Sequence, residues 1–336
     1  MFLLSSIPRA LRLILGWLLT LLALAWMLGA LWFDFPIRML RHPLTSLFLC
    51  GILADFVFVR PRWKAKAAGF VAVGIVAGWW LTLKPGDQRS WQPDVAETAW
   101  AEIKGDEVTL HNVRNCEYRT EDDYTTHWES RTVHLSQIIG LDLALAYWGS
   151  PLMAHPISSF RFADASPICF SIEARKVVGQ DFSAVASMYR QAQLIYIVAD
   201  ERDSIRVRAV YRHGEDVYLY RVLTTPAQTR DRFLEYVKSL NQLHAHPRWY
   251  NVLTTNCTTS IREQRPTNER IPWDWRILVN GRGDELLYER HLISSGGLSF
   301  PELKLHSRIN DAARLADKDP NFSQLVREGI PGFAKK

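Results

Sequence analysis

Three apolar runs occupy the first 84 residues, and short strand-like and helix-like patterns alternate through the rest of the chain. Residues 11–33 are nearly unbroken in hydrophobicity, with only Arg12 at the edge, and are long enough to span a bilayer. Residues 67–83 form a second run, shorter and rich in glycine and alanine. Between them, residues 43–59 are apolar but carry Asp55 and are marginal in length. Residues 1–84 are therefore read as a membrane region with about three transmembrane helices. No small-residue cleavage site closes the first run, so it reads as an anchor and not as a removed signal peptide.

The basic residues orient these spans. With three spans, Arg9 and Arg12 share a side with the loop that carries Arg60, Arg62, Lys64 and Lys66. The densest basic cluster prefers the cytoplasm. Arg38 and Arg41 then lie opposite, and everything after residue 83 emerges outside. Two spans would translocate the basic loop, against that preference. The expectation is a multi-pass membrane protein whose larger part lies outside the cytoplasm.

Residues 85–95, rich in proline and polar groups, read as a linker. Beyond it, the pattern predicts strands at 108–113, 157–162, 168–173, 194–199, 205–211 and 217–223. Residues 225–243 predict a helix, with Thr225 as cap, Pro226 in the first turn, and Phe233, Leu234, Val237 and Leu240 on one face. Strands mixed with helices imply an α+β domain over residues 96–336.

Composition narrows the function classes. The chain has 336 residues, 48% of them hydrophobic, enough for a sizeable core beside the membrane part. Part of the net charge of +5 flanks the apolar runs, and no basic stripe interleaved with aromatics follows, so no nucleic-acid partner is expected. Among the four cysteines there is no CxxC pair, and no His/Cys cluster has zinc spacing, so neither a metal nor a cofactor is expected. Cys116 and Cys169 either pair in an oxidising compartment or stand as core thiols; the sequence leaves both open.

The candidate chemistry centres on Cys257, within Thr254-Thr255-Asn256-Cys257-Thr258-Thr259. Capping residues there predict a helix start. A thiol at such a position feels the positive end of the helix and its free N–H groups, which lower its pKa and can hold an oxyanion. Asn256 and Thr258 are the candidate oxyanion or substrate contacts. His155 leads into the 157–162 strand, which pairs with 168–173 as a hairpin. A turn centred near Ala165 puts His155 opposite Arg175 with Glu173 diagonal, so that Glu173 can orient the imidazole and Arg175 shares its face. The competing reading makes Cys257 a small core residue and Glu173, Arg175 and Lys176 an exposed strand end.

Several segments in order resemble the Lnb N-terminal periplasmic domain family. They are Val113-Arg114-Asn115, Ala154-His155-Pro156 with Ser159-Phe160, Phe170-Ser171-Ile172-Glu173-Ala174-Arg175, Glu201-Arg202-Asp203, Val217-Tyr218-Leu219-Tyr220-Arg221, Trp249-Tyr250-Asn251 and Thr255-Asn256-Cys257-Thr258-Thr259. The resemblance runs over about residues 108–268. It implies a thiol enzyme facing the periplasm or cell exterior, here a multi-pass inner-membrane protein with its catalytic domain in the periplasm, and the family's characterised branch looks like an acyltransferase acting on bacterial lipoproteins. The arrangement is also similar to permuted papain-like enzymes, including NlpC-type peptidases and lecithin retinol acyltransferase. By matched position the resemblance makes Cys257 the nucleophile and His155 the base; Glu173 rests on the strand argument. Cys116 stands where relatives tend to carry an aromatic, and His127, His134 and His291 match no motif position. The expected fold is α+β, with N-terminal transmembrane helices followed by a papain-like (permuted NlpC-type) domain. The expected function is a membrane-anchored cysteine acyltransferase or hydrolase acting on a membrane lipid or lipoprotein. The rivals are a cysteine peptidase or amidase acting on cell-wall peptides, and a catalytically silent membrane scaffold.

Overall fold

The computed structural model describes residues 8–86, 89–265, 270, 272–277 and 280–333. They fall into two compact units: Met1–Asp87 with Phe182–Gln191, and Gln88–Asp181 with Ala192–Lys336.

The first unit holds helices α1 (Arg9–Asp34), α2 (Arg38–Phe58) and α3 (Arg62–Thr82), each long and apolar enough to cross a membrane. Leu24, Met27, Ala30 and Leu31 of α1 pack with Val76 of α3, whereas Leu13, Leu19, Leu22 and Ile75 face outward. Apolar side chains on the outside suit a hydrocarbon solvent, in which α-helices satisfy their own backbone groups. The second and third helices start about five residues before the apolar runs because their first turns are basic. Asp34, at the end of α1, accepts from the Trp80 indole at 2.6 Å, the Arg190 amide at 3.1 Å and the Gln191 side chain at 2.6 Å. That is how residues 182–191 come to belong with the helices.

The second unit is a mixed α+β domain. Its strands are β1 (Trp100–Lys104), β2 (Glu107–Tyr118), β3 (Tyr124–His134), β4 (Ile138–Trp148), β5 (Ala154–Phe162), β6 (Ile168–Arg175), β7 (Gln193–Asp200) and β8 (Glu215–Arg221). They form one sheet in the order β1-β2-β7-β6-β5-β4-β8, with β3 paired to β2. All pairs are antiparallel except β2 with β7. The amphipathic helix α5 (Pro226–Ala245) is closed at its start by a capping box between Thr225 and Gln228. Its Phe233, Tyr236, Val237 and Leu240 pack on Phe160, Phe170, Ile172 and Tyr196. Ile157, Cys169, Val217 and Leu219 point into a second cluster with Ile205 and Phe322. Burying apolar side chains on both faces stabilises the sheet by about 1.5–3 kcal/mol per large residue.

Three expectations are corrected. Residues 205–211 are not a strand: α4 (Glu201–Arg206) and a π-helical turn, Val207–Tyr211, occupy them. Asp200 caps α4 by accepting from the Arg202 amide, so the apolar alternation of Ile205, Val207 and Ala209 reflects a buried helix. The hairpin is in register Ile157 with Ser171 and Phe160 with Ile168, so its centre lies at Asp164 and not Ala165. Finally, part of the stretch read as a linker is folded: Trp91 bridges to Val177, and Val95 is buried. Cys116 and Cys169 are both free, buried thiols.

Candidate active site

Cys257 is the first residue of helix α6 (Cys257–Gln264). The cap is Asn256, whose Oδ1 accepts from the Thr259 amide at 2.9 Å while its Nδ2 donates to the Val252 carbonyl at 2.7 Å. Its Oδ1 and one of its two N–H groups are engaged in the cap, so Asn256 builds the helix start. Thr258 does lie beside the sulfur, its hydroxyl 3.7 Å from Sγ.

The thiol's acidity is also corrected. Cys257 is only 5% exposed, and burial pushes its pKa above the ordinary thiol value despite hydrogen bonds from Thr258 and Asn280 and from backbone N–H groups. Desolvation disfavours the anion, and here it outweighs a helix start of only eight residues. The resting group is a thiol. Cys116 is pushed up to about 11 and Cys169 well above its usual value, both chiefly by burial.

His155 sits on β5 beside Ala146 of β4. Continuing the hairpin register by two residues puts His155 opposite Glu173, not diagonal to it. Ser171 joins the pair, an element the sequence reading missed. Its hydroxyl donates to Glu173 Oε1 at 2.7 Å and lies 2.7 Å from His155 Nε2; Nε2 is also 3.5 Å from Glu173 Oε1. A hydroxyl has one proton, and an ionised carboxylate can only accept. Ser171 therefore accepts from Nε2–H, which fixes the tautomer and leaves the Nδ1 lone pair as the basic site.

Arg208, from the π-helical turn, supplies the charge that keeps Glu173 ionised. It lies 3.2 Å from Glu173 and 3.1 Å from Glu215. Burial acts to raise the Glu173 pKa, but Arg208, His155 and Arg212 together hold it well below the usual carboxylate range. Burial first, then Arg208, depresses His155 to about 3, with Glu173 opposing. His155 is thus a neutral base at neutral pH. Arg175, expected beside this group, instead donates to the Val95 and Ala96 carbonyls and lies over the Trp91 ring. It anchors the entry segment of the domain.

The sheet's alternation puts His155, Ser171 and Glu173 on one face, whereas Cys257 packs into the cluster of the other. The two sides meet at the start of β5. Asn280 Nδ2 is 3.5 Å from Cys257 Sγ, and Asn280 Oδ1 accepts from the Ala154 amide at 3.1 Å, one residue from His155. Among the described residues no direct hydrogen bond joins His155 to Cys257. Asn280 carries no motif and follows Cys257 by 23 residues; nothing local in the sequence marks it.

A cavity of about 220 Å³ opens beside this junction. Leu143, Leu145, Val222, Leu286, Leu287 and Leu292 wall it, and Pro156, Thr258 and Asn280 bring it to the site. No group of three or more histidine, cysteine, aspartate or glutamate side chains suited to a metal occurs among the described residues.

No curated protein and no solved structure matches the chain. Residues 124–281, from the first residue of β3 to the residue after Asn280, match the family model described as the Lnb N-terminal periplasmic domain, and this span contains His155, Ser171, Glu173, Arg208, Cys257 and Asn280.

Proposed function

We propose that the protein is a cysteine acyltransferase or acyl hydrolase, anchored in the inner membrane by three spans and working in the periplasm. The observation that carries the reading is the apolar cavity, because it reaches Thr258 and Asn280, two side chains within hydrogen-bond distance of the Cys257 sulfur. The walls of the cavity are mostly apolar, which fits an acyl chain, and Arg232, Arg262 and Arg276 in the lining suit an anionic group next to it. The three apolar helices, the basic residues ahead of α3 and the match to a periplasmic domain support the location. A helix-start cysteine against a sheet that carries the histidine supports kinship with papain-like enzymes.

In the proposed reaction, His155 Nδ1 takes the thiol proton as Sγ attacks the carbonyl carbon of an ester or amide. The tetrahedral intermediate collapses, the bond to the leaving group breaks, and that group takes the proton from His155. An amine or water then attacks the thioester, giving transfer or hydrolysis. The Ser171–Glu173 pair stabilises the transient imidazolium through Nε2–H. Among the described residues no hydrogen bond joins His155 to Cys257 in the free protein, so this role requires substrate binding to bring the imidazole and the sulfur together.

Acyl-chain length tests the reading. With acetyl, octanoyl and palmitoyl esters of one alcohol, kcat/KM should rise with chain length, each buried methylene contributing up to ~0.8 kcal/mol. Replacing Leu287 by tryptophan should flatten the rise by filling the cavity. Equal rates for all three esters, or reaction with muropeptides alone, would instead select the peptidase.

A further inference from the structure

We propose that Asn280 is a catalytic residue, its side-chain amide donating to the oxyanion that forms when a carbonyl is bound to Cys257. This rests on the thiol-enzyme reading above and names the group that stabilises its transition state.

The amide is oriented by its other end. Oδ1 accepts from the Ala154 N–H at 3.1 Å, so the NH₂ end is the one that faces Sγ at 3.5 Å. The backbone that follows it packs closely on residues 151–153. The Gly281 amide donates to the Leu152 carbonyl at 3.1 Å, and a Cβ on Gly281 would stand 2.3 Å from the Leu152 carbonyl carbon and 2.5 Å from the Pro151 oxygen. Only glycine allows this approach, and it clamps Asn280 onto the segment that leads into His155.

The donor also faces substrate. Asn280 lines the apolar cavity, so an acyl chain lying there would present its carbonyl between the amide and the sulfur. An oxygen two bonds from Sγ comes within the ~3 Å that such a donor needs. The backbone N–H groups of Cys257 and Thr258, in the unpaired first turn of α6, complete the set of donors around the sulfur. Asn256, the residue that sequence alone suggests for the task, is locked in its capping box.

The test compares two reactions of the same sulfur in the full-length protein in detergent. Acylation by p-nitrophenyl octanoate passes through an oxyanion; alkylation by iodoacetamide does not. Both are followed at Cys257 by peptide mass. Asn280→Ala should lower the ratio of acylation to alkylation by roughly 100- to 1,000-fold, the effect of removing one oxyanion donor. Asn280→Asp keeps the acceptor for Ala154, so the fold is retained, but it removes the donor and should lower the ratio as well. An unchanged ratio in both variants, with a wild type that acylates, overturns the role of Asn280 alone. A wild type that alkylates at Cys257 but never acylates overturns the thiol-enzyme reading and this role with it.

Discussion

Replacing His155 by alanine should lower acyl turnover by roughly 100- to 10,000-fold, the range for a lost general base, while the full-length protein stays folded. The resting thiol is protonated because burial raises its pKa, so attack requires a base at the moment of reaction. Glu173→Gln should cost less, since Glu173 reaches the imidazole mainly through Ser171. The pH profile carries the same signature. A base works only when unprotonated, and His155 is depressed to about 3. Activity should therefore persist from neutrality down to about pH 5, where a histidine with an ordinary pKa of about 6.5 would be almost fully protonated. Turnover and thermal unfolding measured together on each variant decide the matter. Full activity in His155→Ala, or an acid limb centred near pH 6.5, would remove His155 from the reaction.

Arg208→Met should be the most destabilising single change around the site. Arg208 is buried between Glu173 and Glu215, and its loss leaves two partly buried carboxylates without it. Breaking a buried ion pair in this way costs about 3–5 kcal/mol. The pH dependence has a definite sign. In the wild type the Glu173 pKa is held below its unfolded value, so its stabilising contribution is present above about pH 4.5 and lost as pH falls through the folded value. Without Arg208 the largest charge opposing burial is gone, so the Glu173 pKa rises towards or past its unfolded value and the stability it contributes above about pH 4.5 is lost. The gap in unfolding temperature between the two proteins should be wide at pH 8 and narrow near pH 4.5. An equal gap at both would mean that Arg208 acts by packing and not by charge.

The parts of this protein that were legible in its sequence are those encoded locally. The three apolar runs, the Thr225-Pro226 helix start and the polar helix start at Cys257 each follow from neighbouring residues, and the structure has helices at each. Strand periodicity brought His155 near Glu173, although a turn misplaced by one residue turned a direct pairing into a diagonal one. β3 was missed because it carries mostly threonine, histidine and charged residues, and Val133 is its one buried position. Residues 205–211 misled because a helix buried among charged partners shows no polar face. Arg208 and Asn280 were out of reach for another reason. Each reaches its partner across the fold, 35 residues from Glu173 and 23 from Cys257, and only packing reveals the contact. The same holds for the thiol: the helix start argued for a low pKa, and burial, invisible in the sequence, reversed the sign.

The central claim is that Cys257 carries an acyl group during turnover, and mass spectrometry of the full-length protein after incubation with a lipid ester tests it most directly. The expected result is a mass gain equal to the acyl group, localised to the Cys257 peptide, released by hydroxylamine as a thioester is, and absent in Cys257→Ala. No adduct with the lipid ester, or equal adducts on Cys116, Cys169 and Cys257, would contradict it.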